Sequence, residues 1–310
     1  MRLTKLISWM LLCGSLAFFA ASAHGQSTRV AGRIIAAKVT GTVTATNLVD
    51  NSQRQLATND TVTQQTLVTT GAGSSVILVF SNGASLNLGA DSAMSIDEFL
   101  QDPFASEIAV ADLKAEPTSS TTKVNLTRGE LVGNVKKLNQ DAGSSFTVNT
   151  PVGAAGIRGT TFRIVFRPDA SGRVFFTLST AEGAVLFEAP AAAGVSVETG
   201  KEVVVNVEVT VDATTGTVTL TSPPEVQGVT DISAETQAVI ATAAQDIVQA
   251  SAEVIVQSVT NASNPPSESR QDGNDGDDED GPDDQSPPAD PVIVPTRPTR
   301  TTTPGDGQTT

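Results

Sequence analysis

The sequence predicts an all-β fold of short strands with glycine corners, followed by one C-terminal α-helix and a disordered tail. Three observations carry this expectation. From about Thr28 to Leu220, short segments rich in Val, Thr, Ile and Phe recur at the spacing of roughly 8–12 residues that marks all-β architectures. Several alternate strictly: Val203, Val205, Val207, Val209 and Val211 share one face, with Asn206, Glu208 and Thr210 on the other. Glycines punctuate the segments, with Gly129, Gly143, Gly172, Gly183, Gly200 and Gly216 in or beside turns.

The chain begins with a secretory signal over residues 1–23. Arg2 and Lys5 form its positive end, Leu6 to Ala20 its apolar stretch, and Ala21-Ser22-Ala23 its small-residue cleavage site. The apolar run is short against the roughly 20 residues a membrane span needs, so cleavage is expected and no span afterwards. Cleavage removes the only Cys and the only Trp, makes the only His, His24, the first mature residue, and leaves a chain without Tyr. Disulfides, a thiol nucleophile, and Ser-His-Asp or Cys-His catalysis are thereby excluded. No cofactor, no metal and no enzymatic activity are expected.

Strands are expected at Lys38–Thr46, Ser75–Phe80, Ala84–Leu88, Ala93–Asp97, Lys123–Thr127, Glu130–Val135, Ser145–Asn149, Thr161–Phe166, Val174–Thr180, Ala184–Glu188, Gly194–Glu198, Lys201–Val211 and Thr217–Leu220. Val76, Leu78 and Phe80 share a face. Asn82-Gly83 is a tight-hairpin signal. Asp102 to Ser120, with Pro103 and Pro117, breaks the rhythm and reads as an excursion with a short helix around residues 105–113. Asn149 to Phe162, NTPVGAAGIRGTTF, holds Gly153, Gly156 and Gly159 between two apolar strands. It reads as a corner where one layer of sheet turns onto the next. Arg158 is its only charge, expected to satisfy carbonyls or a carboxylate there.

After Pro223-Pro224 the period changes. Residues 229–262 are read as the helix, periodic from Asp231 to about Thr260, with Ile240, Ala243, Ala244, Ile247, Ile255 and Val259 on one stripe. Asp231 or Ser233 caps it. The stripe is read as core packing against the β domain. Residues 263–310 are read as a disordered tail, acidic and then Pro/Thr-rich. From Asn264 onward it holds eleven acidic and three basic residues, out of a net charge of −15. No basic face stands out, so nucleic acid is not an expected partner.

Other candidate motifs are weak. No register of the acidic run satisfies an EF-hand. Nothing brings Asp97 and Glu98, or Glu182 and Glu188, together as a catalytic pair. Sequons occur at Asn59, Asn125 and Asn261.

LATNDTVTQQTLVTTGAGSSVILVFSNGASLNLGADSAMSID, VNLTRGELVGNV, FTVNTPVGAAGIRGTTFRI, STAEGAVLF and VSVETGKEV follow one another in the order of the FecR-type periplasmic domain family, which the chain resembles. Asn82 stands where the family usually has Asp. The resemblance covers about Val39 to Val205 within a β domain placed at residues 28–222. It implies stacked short strands, close to a β-helix or solenoid, a periplasmic or extracellular address and a binding role. In that picture Pro151, Gly153 and Gly159 shape a corner, and Thr150 and Thr160 bond backbone groups there. Asn82, Gly83, Gly129, Arg158, Gly183 and Gly200 complete the expected motif positions.

The best-known members pass a signal from an outer-membrane receptor to a cytoplasmic sigma factor. Here only MRLTK precedes the apolar segment, and a helix and tail follow the β domain, so direct sigma-factor control is not expected. The expected function is a non-enzymatic, exported binding module of the cell envelope, recognising an envelope protein or a surface polymer and linked to envelope signalling. The alternative is a structural or adhesive surface protein, with the β domain as spacer and the tail as a solvating stalk.

Overall fold

The computed structural model describes residues 29–104, 106–168, 173–190, 193–211 and 218–256. The signal segment, the tail, Asn261, Gly172 and Gly216 lie outside the described residues.

The chain opens with β1 (Val30–Ala31) and β2 (Ile34–Thr40). Gly41, at φ +70°, turns β2 into β3 (Val43–Asn47), so the expected strand Lys38–Thr46 is two strands in different sheets. β4 (Gln53–Gln55) folds back on β3, and β5 (Thr61–Val62) runs along β2. β6 (Thr66–Thr70) leads through Gly71–Ser74 into β7 (Ser75–Phe80), which the Asn82-Gly83 turn joins to β8 (Ser85–Leu88). β9 (Ala93–Gln101) follows. The excursion holds β10 (Ile108–Ala109) and a single 3-10 turn, Val110–Asp112, in place of the expected helix.

β11 (Ser120–Asn134) is one continuous strand where two were expected. Gly129, at φ +101°, bends it without ending it. Then come β12 (Ser145–Thr150), β13 (Gly153–Ile157), β14 (Thr161–Pro168), β15 (Arg173–Glu182), β16 (Ala184–Glu188), β17 (Val195–Glu198), β18 (Lys201–Val211), β19 (Val218–Leu220) and β20 (Glu225–Asp231). The helix α1 (Ala234–Ser251) and β21 (Ile255–Val256) complete the described chain.

The all-β class holds. The strands form two facing sheets that share β11. The first runs β4-β3-β6-β9-β11-β12-β13-β16-β17, using Ser120–Arg128 of β11. The second runs β5-β2-β7-β8-β11-β14-β15-β18, using Gly129–Asn134, with β19 and β20 along the outer edge of β18. Among the described residues no pairing joins the β17–β20 end of the stack to the β3–β5 end, so the sheets do not close into a barrel.

Each layer of the stack is a bent pair: one strand in each sheet, joined at a hinge. In the first half the hinges are Gly41, Gly71–Ser74, Gly89–Ser92 and Gly129, aligned along one side. They are tied by Gly71 N–H to Thr42 O (3.0 Å) and Gly89 N–H to Glu130 O (2.9 Å). In the second half the hinges are Gly159-Thr160, Gly183 and Thr199-Gly200, on the opposite side. The change of side happens at β11. After crossing from the first sheet to the second, the chain returns through residues 135–144 and lays β12 parallel to β11, Thr121 opposite Ser145. This is the only parallel strand pairing among the described strands, and the one full winding. Elsewhere antiparallel pairing makes consecutive layers double back.

The space between the sheets is filled by alternating inward side chains. Leu78, Phe80, Leu86, Phe99, Phe162 and Phe176 are all fully buried, and Val203, Val205, Val207 and Val209 face inward as the pattern requires. A smaller second core lies on the outer face of the second sheet, where Ile77, Val79 and Val132 meet Ile240 and Ile247 of α1. The Ser233 hydroxyl caps α1 by accepting the Thr236 N–H at 3.0 Å. The helix stops at Ser251, short of the expected Thr260, because Val254-Ile255-Val256 is a β-branched run that pairs with β10 and seats Val254 and Val256 in the second core. Ile255 is therefore on a strand, half exposed, and off the helical stripe.

Candidate functional site

The glycine-rich stretch divides into three parts. Thr150-Pro151-Val152-Gly153 is a tight turn between β12 and β13, closed by Thr150 Oγ1 donating to Gly153 O at 2.8 Å. A Cβ on Gly153 would lie 2.5 Å from Glu188 O. Gly156 sits within β13, and Gly159 makes the hinge into β14. Thr160 contributes its carbonyl, which accepts Val135 N–H at 2.9 Å. Its hydroxyl is buried without a partner, and its methyl group lies against Gly183. Arg158 is exposed and has no bonding partner among the described residues, so it does not satisfy the corner.

Gly159 stands at φ +82°, and a Cβ there would come 3.0 Å from Lys137 Cα. Gly159→Val is expected to cost about 3 kcal/mol, since it adds a β-branched side chain at positive φ to a backbone contact. An unchanged melting temperature would show the hinge to be unstrained. Gly183 is as crowded, with Thr160 Cγ2 at 2.7 Å from an added Cβ, whereas Gly200, at φ +76°, faces open space.

Asn82 does more than turn a hairpin. It is 1 % exposed, its Oδ1 accepts Ala84 N–H at 3.0 Å, and its Nδ2 donates to Ser120 Oγ at 3.0 Å and Thr122 Oγ1 at 3.3 Å. Gly83, at φ +87°, completes the turn by donating its N–H to Phe80 O at 2.8 Å. Ser120 donates onward to Glu116 Oε2 at 2.7 Å, and Glu116 Oε1 accepts Asn139 N–H at 2.5 Å. This buried chain ties the excursion to the return segment of the wound turn. Glu116→Gln replaces one acceptor with an amide NH₂ facing a donor. A loss of about 1–2 kcal/mol in urea unfolding is expected, with Ser120→Ala coupled to it in a double-mutant cycle. Additive effects would show that the two groups do not act together.

No group of three or more His, Cys, Asp or Glu capable of holding a metal is present among the described residues. The acids Asp97 and Glu98 are occupied separately, Asp97 by Ser95 Oγ at 2.6 Å and Glu98 by Lys123 at 2.6 Å.

One surface differs from the rest. Along β15, Val174, Phe176 and Leu178 point into the core, which sends Phe175 outward, 61 % exposed. Cross-strand register places Arg167 of β14 and Asn206 of β18 on either side of it, with Glu225 of β20 beyond Asn206. The next row along is Arg173 opposite Glu208. The edge strand should continue past Glu208, but Pro223-Pro224 separates β19 from β20. Ser222 turns in there to accept Glu208 N–H on its hydroxyl at 2.9 Å. The result is an open groove of about 690 Å³ lined by Arg173, Phe175, Asn206, Glu208, Ser222 and Glu225.

Beside the groove, Glu130 holds Arg163 Nε at 2.7 Å and an Arg167 NH₂ group at 3.2 Å. Two residues along from Phe175 on the same face, Thr177 is 5 % exposed and its hydroxyl has no partner. The sequence reading missed this site. Its available signal was Phe175 itself, an aromatic out of phase with the inward set of its strand.

Residues 66–186 match the family model described as FecR protein. Two crystal structures of a "putative anti-sigma factor" from Parabacteroides distasonis ATCC 8503 are similar, each at 16 % identity over 51 % of this chain, with TM-scores of 0.33 and 0.32. The chain spans 59 % of the length of each. None of the curated proteins matches the chain.

Proposed function

We propose that this chain, which carries a FecR domain over residues 66–186, is a non-enzymatic binding module of the cell envelope that serves envelope signalling. The observation that carries the reading is a contrast within the β fold. Its expected motif residues are mostly spent on hinges and buried hydrogen bonds, while the groove at Phe175 leaves an aromatic ring and polar groups facing solvent. An exposed aromatic among polar side chains is the composition of a recognition surface. Export to the periplasm or beyond follows from the signal-like residues 1–23 and belongs to the same proposal. No helix among the described residues is long and apolar enough to cross a membrane.

Fractionation of the producing cell and cross-linking in the intact envelope test the reading. The protein is expected outside the cytoplasm, bound to a specific partner that Phe175→Ala loses. A cytoplasmic protein, or one with no partner in the envelope, would overturn it.

A further inference from the structure

We infer that the groove at Phe175 is a subsite for a neutral saccharide chain. The inference rests on the binding-module reading and names its ligand chemistry. Phe175 is the one large aromatic left in solvent among the described residues, while the neighbouring Phe176 is fully buried. A flat, exposed ring offers a platform for the C–H face of a pyranose, which is apolar on its face and polar at its rim.

The groups around the ring supply the rim. The Asn206 amide both donates and accepts, and the Glu208 and Glu225 carboxylates accept. Ser222 Oγ accepts one backbone N–H and keeps its own proton to donate. Such a mixture pairs with hydroxyl groups, each of which also donates and accepts.

Charge and backbone argue against an anion and against a peptide strand inside the gap. Arg167 is held by Glu130, and both Glu208 and Glu225 line the groove, so it has no excess of positive charge to hold an anion. A peptide added as a strand needs a free row of backbone groups. Here Glu208 N–H goes to Ser222 and Glu208 O accepts Thr221 N–H at 2.8 Å, while β15 takes the other edge of β18. The Pro223-Pro224 break thus opens side chains and not backbone.

The test uses residues 24–310 and hexasaccharides of β-1,4-glucose, α-1,4-glucose and β-1,4-N-acetylglucosamine, with hexagalacturonate as a charged control and a Lys-rich hexapeptide as a peptide control. Without Trp or Tyr after residue 23, intrinsic fluorescence is blind, so binding is read by ¹H–¹⁵N chemical shifts. At least one neutral hexasaccharide is expected to bind. Phe175→Ala is expected to weaken it about tenfold or more, Asn206→Ala and Glu225→Gln several-fold, and Phe175→Trp to retain it, with the fold unchanged in each spectrum. No neutral sugar binding at about 10 mM, binding unaffected by Phe175→Ala, or binding only of either control would overturn the inference. If sugars fail while an envelope partner is still lost by Phe175→Ala, the binding-module reading stands and only the saccharide falls. If both fail, both fall.

Discussion

Gly129→Ala is expected to destabilise the protein by about 4 kcal/mol or more, lowering the melting temperature by roughly 8–16 °C. Two penalties combine at this position. The residue sits at φ +101°, where any Cβ is strained, and that Cβ would lie 2.0 Å from Ser92 Oγ and 2.5 Å from Ser92 Cα. Ser92 cannot yield, because it is fully buried and tied on three sides. Its N–H donates to Thr70 Oγ1 (3.0 Å), its hydroxyl donates to Ala90 O (3.1 Å), and the same Oγ accepts Glu130 N–H (3.0 Å). Gly73→Ala separates the two penalties. Gly73 has φ +63° with nothing within 4 Å of an added Cβ, so only the conformational cost of about 1 kcal/mol applies. Equal losses in the two variants, measured by denaturant unfolding, would show that the Ser92 contact does not control the bend of β11.

Phe80→Ala is expected to cost about 4–5 kcal/mol, the upper end for an emptied aromatic site. Phe80 is fully buried at the end of β7 in the second sheet. Its ring meets Phe99 of the first sheet edge-on at 5.1 Å and Phe146 of β12 at 6.4 Å. It therefore joins both sheets and both halves of the stack, and its ring neighbours belong to two other strands that cannot collapse together onto an emptied site. Phe175→Ala, the same chemical change on the surface, is expected within about 0.5 kcal/mol of wild type. Near-equal midpoints in guanidinium for the two variants would refute this assignment of the core.

Much of the fold was legible because alternation reports one buried face. Ser75–Phe80, Ala184–Glu188 and Lys201–Val211 match the expected strands to the residue. Where both faces are buried, alternation vanishes: Ile77 and Val79 face a second core under α1, so β7 reads as a continuous apolar run. Gly129 was read as a turn because a bend and a turn ask the same conformational freedom of a glycine. Only the pairing of Ser120–Arg128 with β9 and of Gly129–Asn134 with β14 separates them. The direction of pairing was not legible either, since short strands with glycine corners suit a winding chain and a doubling one equally. The groove depends on Pro223-Pro224, which the sequence offered as a domain boundary and the structure uses as a break in an edge strand.

The single winding at β11 and β12 also bears on how the chain reaches this structure. Before and after it, neighbouring layers are neighbours in sequence, so each can form by local closure at little entropic cost. The winding alone requires a strand to return parallel to itself across both sheets, and β11 belongs to both halves. Assembly therefore should spread outward from β11, its hydrogen bonds formed early at the transition state. Val124→Ala and Leu131→Ala would then slow refolding more than they speed unfolding, whereas Val197→Ala at the far end would act on unfolding; φ-values near zero in β11 would contradict this order.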